Sequence, residues 1–492
     1  MDLIQNGFSC PYDMEIFINI FFDKEEEVII MTDLKHIDDS VNTYVEIIFK
    51  GKTYSKDCSY KFLKDNINKN NQKKNYTCSL TKTFIKVSQE IRKVNLPWGV
   101  MSGIRPAKVV RKYLEDGYTK EEVKNILKEL YDVSDEKTEL AMTVAENEKK
   151  ILSQIGNNSI SIYIGIPFCP TRCLYCSFVS TDIRKSGKYT DEFVKLLVKE
   201  IEKTKEIIDK LGVYVENIYI GGGTPTTLSV NQLEIMFSAI NKYLKNEKLK
   251  EFTLEAGRPD TIDEEKLKCA YRWGVNRISI NPQTMNDVTL KKIGRCHSSK
   301  MIKDAYKMAR ECGFDNINMD LIAGLPDETV DMFKYSLNEV IKLNPENITV
   351  HSMCIKKAAA LRFSEIELTK SKDMNEMLDY TMKKMKECGK IPYYMYRQKN
   401  ISGNLENVGY STKETVSFYN VNIMEEAQTI IALGGGATTK LVMGDRIERI
   451  FNFKDPYEYI KRFDEILKKK DEILDFYNRK SGEEDDRTRN CK

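Results

Sequence analysis

The sequence predicts an α/β protein: a partial (β/α)6 barrel, preceded by an α/β accessory region and followed by a mostly helical one. Three observations carry this. Six short apolar runs recur at 161–166, 217–220, 252–255, 277–281, 317–322 and 348–353. Between most of them lie amphipathic stretches of helical period, such as Phe193, Leu196, Leu197 and Ile201. Glycines stand where each helix has to stop before the next strand, at Gly212, Gly274 and Gly313. Strands alternating with helices form parallel sheets through right-handed crossovers, and six such units fit a barrel left open on one side. A chain of 492 residues exceeds one ordinary core. The expected division is 1–155 for the accessory domain, 156–355 for the barrel, 356–480 for a region covering the substrate, and 481–492 for a charged, disordered tail.

In the first region, 15–22, 28–32 and 44–49 read as strands, rich in Ile, Val and Phe. The lysines and asparagines of 64–75 read as an exposed loop, and 81–94 as a helix stopped by Pro97-Trp98-Gly99. Thr119 with Glu122 makes a capping box, and another helix is expected over 134–152. No chemical motif appears, and Gly103-Ile104-Arg105-Pro106 reads as a turn ahead of a helix. Beyond the barrel, 374–388 has helical period. The stretch 392–400, with three tyrosines, Arg397 and Lys399, is open to two readings. Aromatic faces with cations suit a flat, carboxylate-bearing ligand. The same residues also suit an amphipathic strand covering the barrel. Leu433-Gly434-Gly435-Gly436-Ala437 signals close backbone approach.

Composition narrows the function classes. Hydrophobic residues make up 41% and charged ones 31%, as in a soluble globular chain. The 77 basic and 74 acidic residues nearly balance, which argues against a nucleic-acid partner. The longest early apolar run, 16–22, contains Asn19 and is far short of a membrane span. No charged-then-apolar leader precedes it, so a cytoplasmic location is expected. In that reducing compartment the twelve cysteines are thiols or metal ligands. Nine are scattered singly and read as small buried hydrophobes. Three histidines leave little for imidazole chemistry.

The remaining three cysteines carry the chemistry. Cys169-Pro170-Thr171-Arg172-Cys173-Leu174-Tyr175-Cys176 follows directly on the first barrel strand. Three thiolates on one loop suit an iron–sulfur cluster with one iron left open. A zinc site completed from elsewhere, or a chance grouping, are the other readings of this spacing. In parallel α/β sheets ligands bind at the carboxyl ends of the strands. There the sequence places Gly221-Gly222-Gly223-Thr224-Pro225-Thr226, then Glu255, Gln283 and Asp320. The glycine turn lacks the lysine of a P-loop, so nucleoside triphosphate is discounted.

Tyr163-Ile164-Gly165-Ile166-Pro167-Phe168-Cys169 with its C-x3-C-x2-C spacing resembles the radical S-adenosylmethionine (SAM) enzymes. Within them, residues 158–450 resemble the oxygen-independent coproporphyrinogen III oxidase group. The HemZ-type branch, with its extra amino-terminal region, is the most similar. The resemblance implies that Cys169, Cys173 and Cys176 ligate a [4Fe–4S] cluster whose open iron SAM chelates. It implies that Gly222, Gly223, Thr224, Glu255, Gln283, Arg295 and Asp320 contact SAM, with Arg295 suited to the methionine carboxylate and a carboxylate to the ribose. Tyr163 matches a tyrosine near the active centre. The implied reaction is oxidative decarboxylation of coproporphyrinogen III to protoporphyrinogen IX, with an external electron donor of unknown identity. Arg397 and Lys399 are the expected holders of the substrate's propionates. Two departures stand out: Gly165 replaces a histidine, and Phe178 replaces a fourth cysteine. Phe178 resembles the haem-trafficking HemW chaperones instead, whose His-Asn-x-x-Tyr-Trp segment here reads Glu406-Asn407-Val408-Gly409-Tyr410-Ser411. A haem chaperone and a radical SAM enzyme acting on haem are therefore the alternatives.

Overall fold

The structure is a computed structural model that describes residues 1–63, 71–103, 105–176, 178, 180–354, 369, 371–398 and 404–479. In the amino-terminal region, β1 (Asp2–Asn6) pairs in parallel with β2 (Val28–Ile37), and β3 (Ser40–Phe49) and β4 (Lys52–Lys61) continue as an antiparallel meander. Between β1 and β2 runs α1 (Pro11–Phe21), where the sequence suggested a strand. Pro11 opens the helix, and Met14, Phe17, Ile18 and Phe21 recur at helical spacing on one buried face. That period outweighs the strand preference of Ile and Phe. Strand β4 went unread because it is a polar edge strand that shows little apolar alternation. The next helix, α2 (Asn71–Ile91), begins ten residues earlier than the sequence suggested, so 71–75 belong to it rather than to a loop. Three more helices follow: α3 (Pro106–Glu115), α4 (Lys120–Glu129) and α5 (Asp135–Leu152). The capping box of Thr119 and Glu122 is formed at α4 as expected.

All six expected barrel strands are present. They are β5 (Ser159–Ile166), then, after the short pair β6 (Phe168–Cys169) and β7 (Thr181–Asp182), β8 (Tyr214–Gly222), β9 (Glu251–Glu255), β10 (Arg277–Ser279), β11 (Ile317–Ala323) and β12 (Asn347–Ser352). The helices between them include α6 (Ile183–Ser186), α7 (Thr190–Leu211), α8 (Val230–Tyr243), α9 (Glu264–Arg272), α10 (Asp287–Lys292), α11 (Ser299–Glu311) and α12 (Val330–Leu343). Gly212, Gly274 and Gly313 all take positive φ where helices end.

The region after 356 holds α13 (Ser371–Glu387), β13 (Ile391–Arg397), β14 (Glu406–Ser411), α14 (Phe418–Glu425), β15 (Ile430–Gly434), β16 (Thr438–Met443), β17 (Arg446–Phe451), α15 (Pro456–Lys461) and α16 (Phe463–Asn478). It is richer in strands than expected, and they complete the central sheet. The order is β13-β14-β12-β11-β10-β9-β8-β5-β15-β16-β17. Strand β15 runs parallel to β5, extending the parallel run to seven, and antiparallel strands flank each side. The side chains of Tyr163, Tyr219, Glu255, Arg277, Asp320, His351 and Tyr394, from seven strands, line one cavity, so the sheet curls around it.

The amino-terminal region is fastened to the wall of that cavity. Lys137 on α5, almost wholly buried, pairs with Glu406 of β14 at 2.8 Å and with Asp379 at 3.0 Å. Trp98 Nε1 donates to the other Glu406 oxygen at 2.7 Å. Arg105 and Arg111 pair with Glu426 and Glu425 at the end of α14. No helix among the described residues is long and apolar enough to cross a membrane. The scattered cysteines are less uniform than expected: Cys10, Cys78, Cys269 and Cys312 are buried, whereas Cys296 and Cys388 are exposed.

Candidate functional site

Strand β5 delivers the chain to the rim, and Phe168-Cys169 is pinned by pairing with β7. The turn beyond is anchored on the β10 side of the barrel. Leu174 N donates to Ile293 O at 3.1 Å, and the Thr171 hydroxyl to Gly294 O at 3.1 Å. Cys176 N closes the turn on Cys173 O at 3.1 Å. Cys173 is buried, and Cys169 and Cys176 are partly so. Burial pushes the Cys169 thiol up and the Cys176 thiol up to about 11. Thiols so placed stay protonated unless a cation replaces the proton, which is what iron does. A cubane offers each thiolate a separate iron, so its ligands stand apart. The donor set therefore fits a cluster.

The glycine turn at the end of β8 serves this loop directly. Gly223 N donates to Ile166 O and Thr224 N to Phe168 O, both at 2.8 Å. A Cβ on Gly223 would lie 2.6 Å from Phe168 O and 3.0 Å from Cys169 Sγ. The Thr224 hydroxyl sits 3.4 Å from the same sulfur. Gly165 has a similar cause: Gly435 N donates to its carbonyl at 2.9 Å, and a Cβ there would meet Gly435 O at 2.7 Å. The close approach expected at 433–437 is thus to β5 and Pro167.

Below the loop the cavity has a volume of about 700 Å³ and collects the polar strand ends. Tyr219 donates its hydroxyl to Glu255 Oε1 at 2.6 Å. Burial, reinforced by Asp320 and opposed by Tyr219, Gly222 N–H and Arg277, pushes Glu255 up to about 7. Asp320 goes the other way. Burial disfavours its charge, but His351 at 3.7 Å, Asn318 Nδ2 at 2.8 Å and the field of Arg277 hold the carboxyl below its ordinary value. Two carboxylates in one cavity are so driven apart, one ready to hold a proton and one ionised.

Gln283 is the most constrained of the group. Its φ is +67°, a conformation costly for a side-chain-bearing residue. Its N–H donates to Asp320 O at 2.8 Å and its carbonyl accepts from Ile322 N at 2.9 Å. Among the described residues the side-chain Oε1 is buried without a partner, an acceptor left for a ligand. Arg295 Nη1 donates to Gly257 O and Asn281 O at 3.1 and 2.6 Å, and Nε to Tyr175 OH at 3.3 Å. Its guanidinium thus braces the cysteine loop as well as lining the cavity. Tyr163 stacks with Tyr219 and with Tyr419 of α14, the centroids 6.2 and 6.3 Å apart and the planes within 20°. Burial pushes its hydroxyl well above the usual tyrosine range.

The cysteines, Gly222, Gly223, Thr224, Glu255, Gln283, Arg295, Asp320 and Tyr163 therefore all line one cavity. Arg397 does not join them. Its Nε donates to Asn404 O at 3.0 Å and its Nη1 to Met101 O and Gly103 O at 2.7 and 3.3 Å. Buried over the Trp98 ring and pushed down to about 9 by that burial, it joins the amino-terminal region to β13. Lys399 lies outside the described residues. The sequence reading missed Tyr219, Tyr419, His351, Arg258 and Arg277. Tyr219 was findable, two residues before the glycine turn and so on the inward face of β8.

A sequence profile of the radical SAM superfamily matches residues 163–340. The oxygen-independent coproporphyrinogen-III oxidase-like protein HemZ of Bacillus subtilis is 39% identical over 404 residues, 81% of each chain. The heme chaperone HemW of the same organism is 36% identical over 265 residues, 53% of this chain and 66% of that one. Among solved structures, coproporphyrinogen III oxidase (HemN) of Escherichia coli superposes with a TM-score of 0.52 at 23% identity, over 66% of this chain and 73% of that one.

Proposed function

The chain belongs to the radical SAM superfamily, in the group of oxygen-independent coproporphyrinogen-III oxidase-like proteins, and from that premise we propose that it decarboxylates coproporphyrinogen III oxidatively to protoporphyrinogen IX. The family implies a [4Fe–4S] cluster and SAM, which fit the thiols and the unsatisfied acceptor of this cavity. The observation that carries the reading is the convergence of the cysteine loop, three polar strand ends and stacked tyrosines on one cavity.

Together the two cofactors supply a 5′-deoxyadenosyl radical, generated by one-electron cleavage of SAM and able to remove a hydrogen atom from a propionate β-carbon. The chain's part is to bind, orient and exclude water. Cys169, Cys173 and Cys176 hold the cluster. The Gly222–Gly223–Thr224 backbone, Gln283 Oε1 and the Glu255 and Asp320 carboxyls offer SAM its hydrogen-bond partners. Tyr163, Tyr219 and Tyr419 wall the cavity with apolar faces suited to a flat tetrapyrrole. Each propionate then loses carbon dioxide and one electron in becoming a vinyl group, the electron leaving to an external acceptor.

The heme chaperone is the second reading, favoured by the likeness to HemW. Against it stands Glu406, where the chaperones' histidine falls. Both its oxygens are engaged, by Lys137 and Trp98, and it is not among the residues that line the cavity. The deciding test is anaerobic reconstitution with iron and sulfide, then dithionite, SAM and coproporphyrinogen III, with tetrapyrroles and 5′-deoxyadenosine followed by chromatography. Protoporphyrinogen that disappears in Cys173→Ala supports the oxidase. SAM cleavage without decarboxylation points to another substrate, haem first. Stable haem binding with neither product replaces the oxidase by the chaperone.

A further inference from the structure

Arg258, 3% exposed, stands between the cysteine loop and a partly buried acid, Asp260. Its Nε and Nη2 donate to the two oxygens of Asp260 at 3.0 and 2.9 Å, a bidentate clamp that fixes the plane of the guanidinium. The opposite edge faces the loop. Nη2 donates to Thr171 Oγ1 at 3.1 Å, and Nη1 to Thr171 O at 3.4 Å and to Cys173 Sγ at 3.6 Å. Asp260 is backed by His297, whose Nδ1 lies 3.4 Å from it. Burial opposes the charge on Asp260, yet His297 and Arg258 together hold its carboxyl far below the usual range, so the clamp is ionised. The other two cysteines are served differently: Cys169 by the Thr224 hydroxyl, Cys176 by the Phe178 N–H.

We propose that Arg258 is a positioning residue for the iron–sulfur centre, which fixes the Cys173 sulfur and sets the reduction potential more positive than the loop would otherwise give. A cluster on three thiolates is anionic, and reduction adds one more negative charge. An N–H donor from a cation stabilises the reduced form more than the oxidised one. Burial keeps solvent and salt from screening that preference. The role rests on the cluster alone and does not depend on which tetrapyrrole the enzyme takes.

The test is a redox titration of the full-length, reconstituted protein, monitored by electron paramagnetic resonance, with dithionite and mediators and without SAM or tetrapyrrole. Arg258→Gln should keep its iron and sulfide while its midpoint moves to a more negative potential. Arg258→Lys, which keeps the charge and loses the fork, should shift in the same direction by less. An unchanged midpoint in an iron-replete Arg258→Gln protein overturns the proposal. Where Arg258→Gln takes up no iron, Arg258→Lys decides, and a midpoint equal to that of the unsubstituted protein overturns it equally. A merely structural arginine would lower the melting temperature and leave the midpoint alone.

Discussion

Glu255 and Gln283 show how single side chains equip the cavity. With a pKa of about 7 against an ordinary 4.5, Glu255 binds its proton more tightly folded than unfolded. The folded protein therefore loses stability as pH rises from about 4.5 to 7, by at most about 3 kcal/mol. In Glu255→Gln this slope should vanish from urea melts made across that range. SAM affinity should rise with pH through 7 in the native protein, as the acceptor carboxylate forms, and stay flat in the variant. Calorimetry at pH 6 and pH 8 checks this; equal affinities in the native protein would refute it. Gln283 makes a different prediction. Its Oε1 has no partner among the described residues, so Gln283→Ala removes none of their hydrogen bonds to that atom. The variant should keep its fold, while SAM binding weakens roughly tenfold, the worth of one buried hydrogen bond.

The glycine turn after β8 and the strand end of β5 are built against each other. Gly223→Ala would push a methyl group into Phe168 O and the Cys169 sulfur. Backbone cannot move aside as a flexible side chain does, and overpacking of this kind costs about 1–3 kcal/mol. The expected outcome is a lower melting temperature together with a lower iron content after reconstitution. Retention of the full iron content would mean that the turn serves SAM alone. The same geometry explains Gly165: the Gly435 backbone lies across it, leaving no room for the imidazole that similar enzymes carry. A glycine in one element is here the record of a neighbour far away in sequence.

Across the whole molecule, the amino-terminal region and the cavity wall share one buried polar seam. Lys137 and Glu406 are both out of water, and burial works against the lysine's charge while Glu406 and Asp379 restore it. Lys137→Met leaves Glu406 with Trp98 as its remaining side-chain donor and should cost about 3–5 kcal/mol. Lys137→Met combined with Glu406→Gln should recover much of that loss, because no buried charge is stranded. Denaturant melts of the two single variants and the double variant measure the coupling. Purely additive losses would show that the pair does not join the two regions.

The sequence by itself determined the barrel, because βα repetition, apolar runs and helix-stopping glycines are local signals that each strand and helix carries within its own residues. The cysteine turn was legible for the same reason: three cysteines at that spacing are a local pattern. It also singled out Glu255, Gln283 and Asp320, which line one cavity with the cysteines, since strand ends of a parallel sheet share one rim. Only the tertiary structure decided what faces what. Arg397 and Arg258 are both arginines near aromatic or cysteine motifs, yet one is enclosed by backbone carbonyls and the other turned onto a sulfur. Nothing in the local spacing separates them, because burial and hydrogen-bond partners come from segments up to some three hundred residues distant. The strands that complete the sheet were settled in the same way, by pairing with β12 and β5 that no short window of sequence contains.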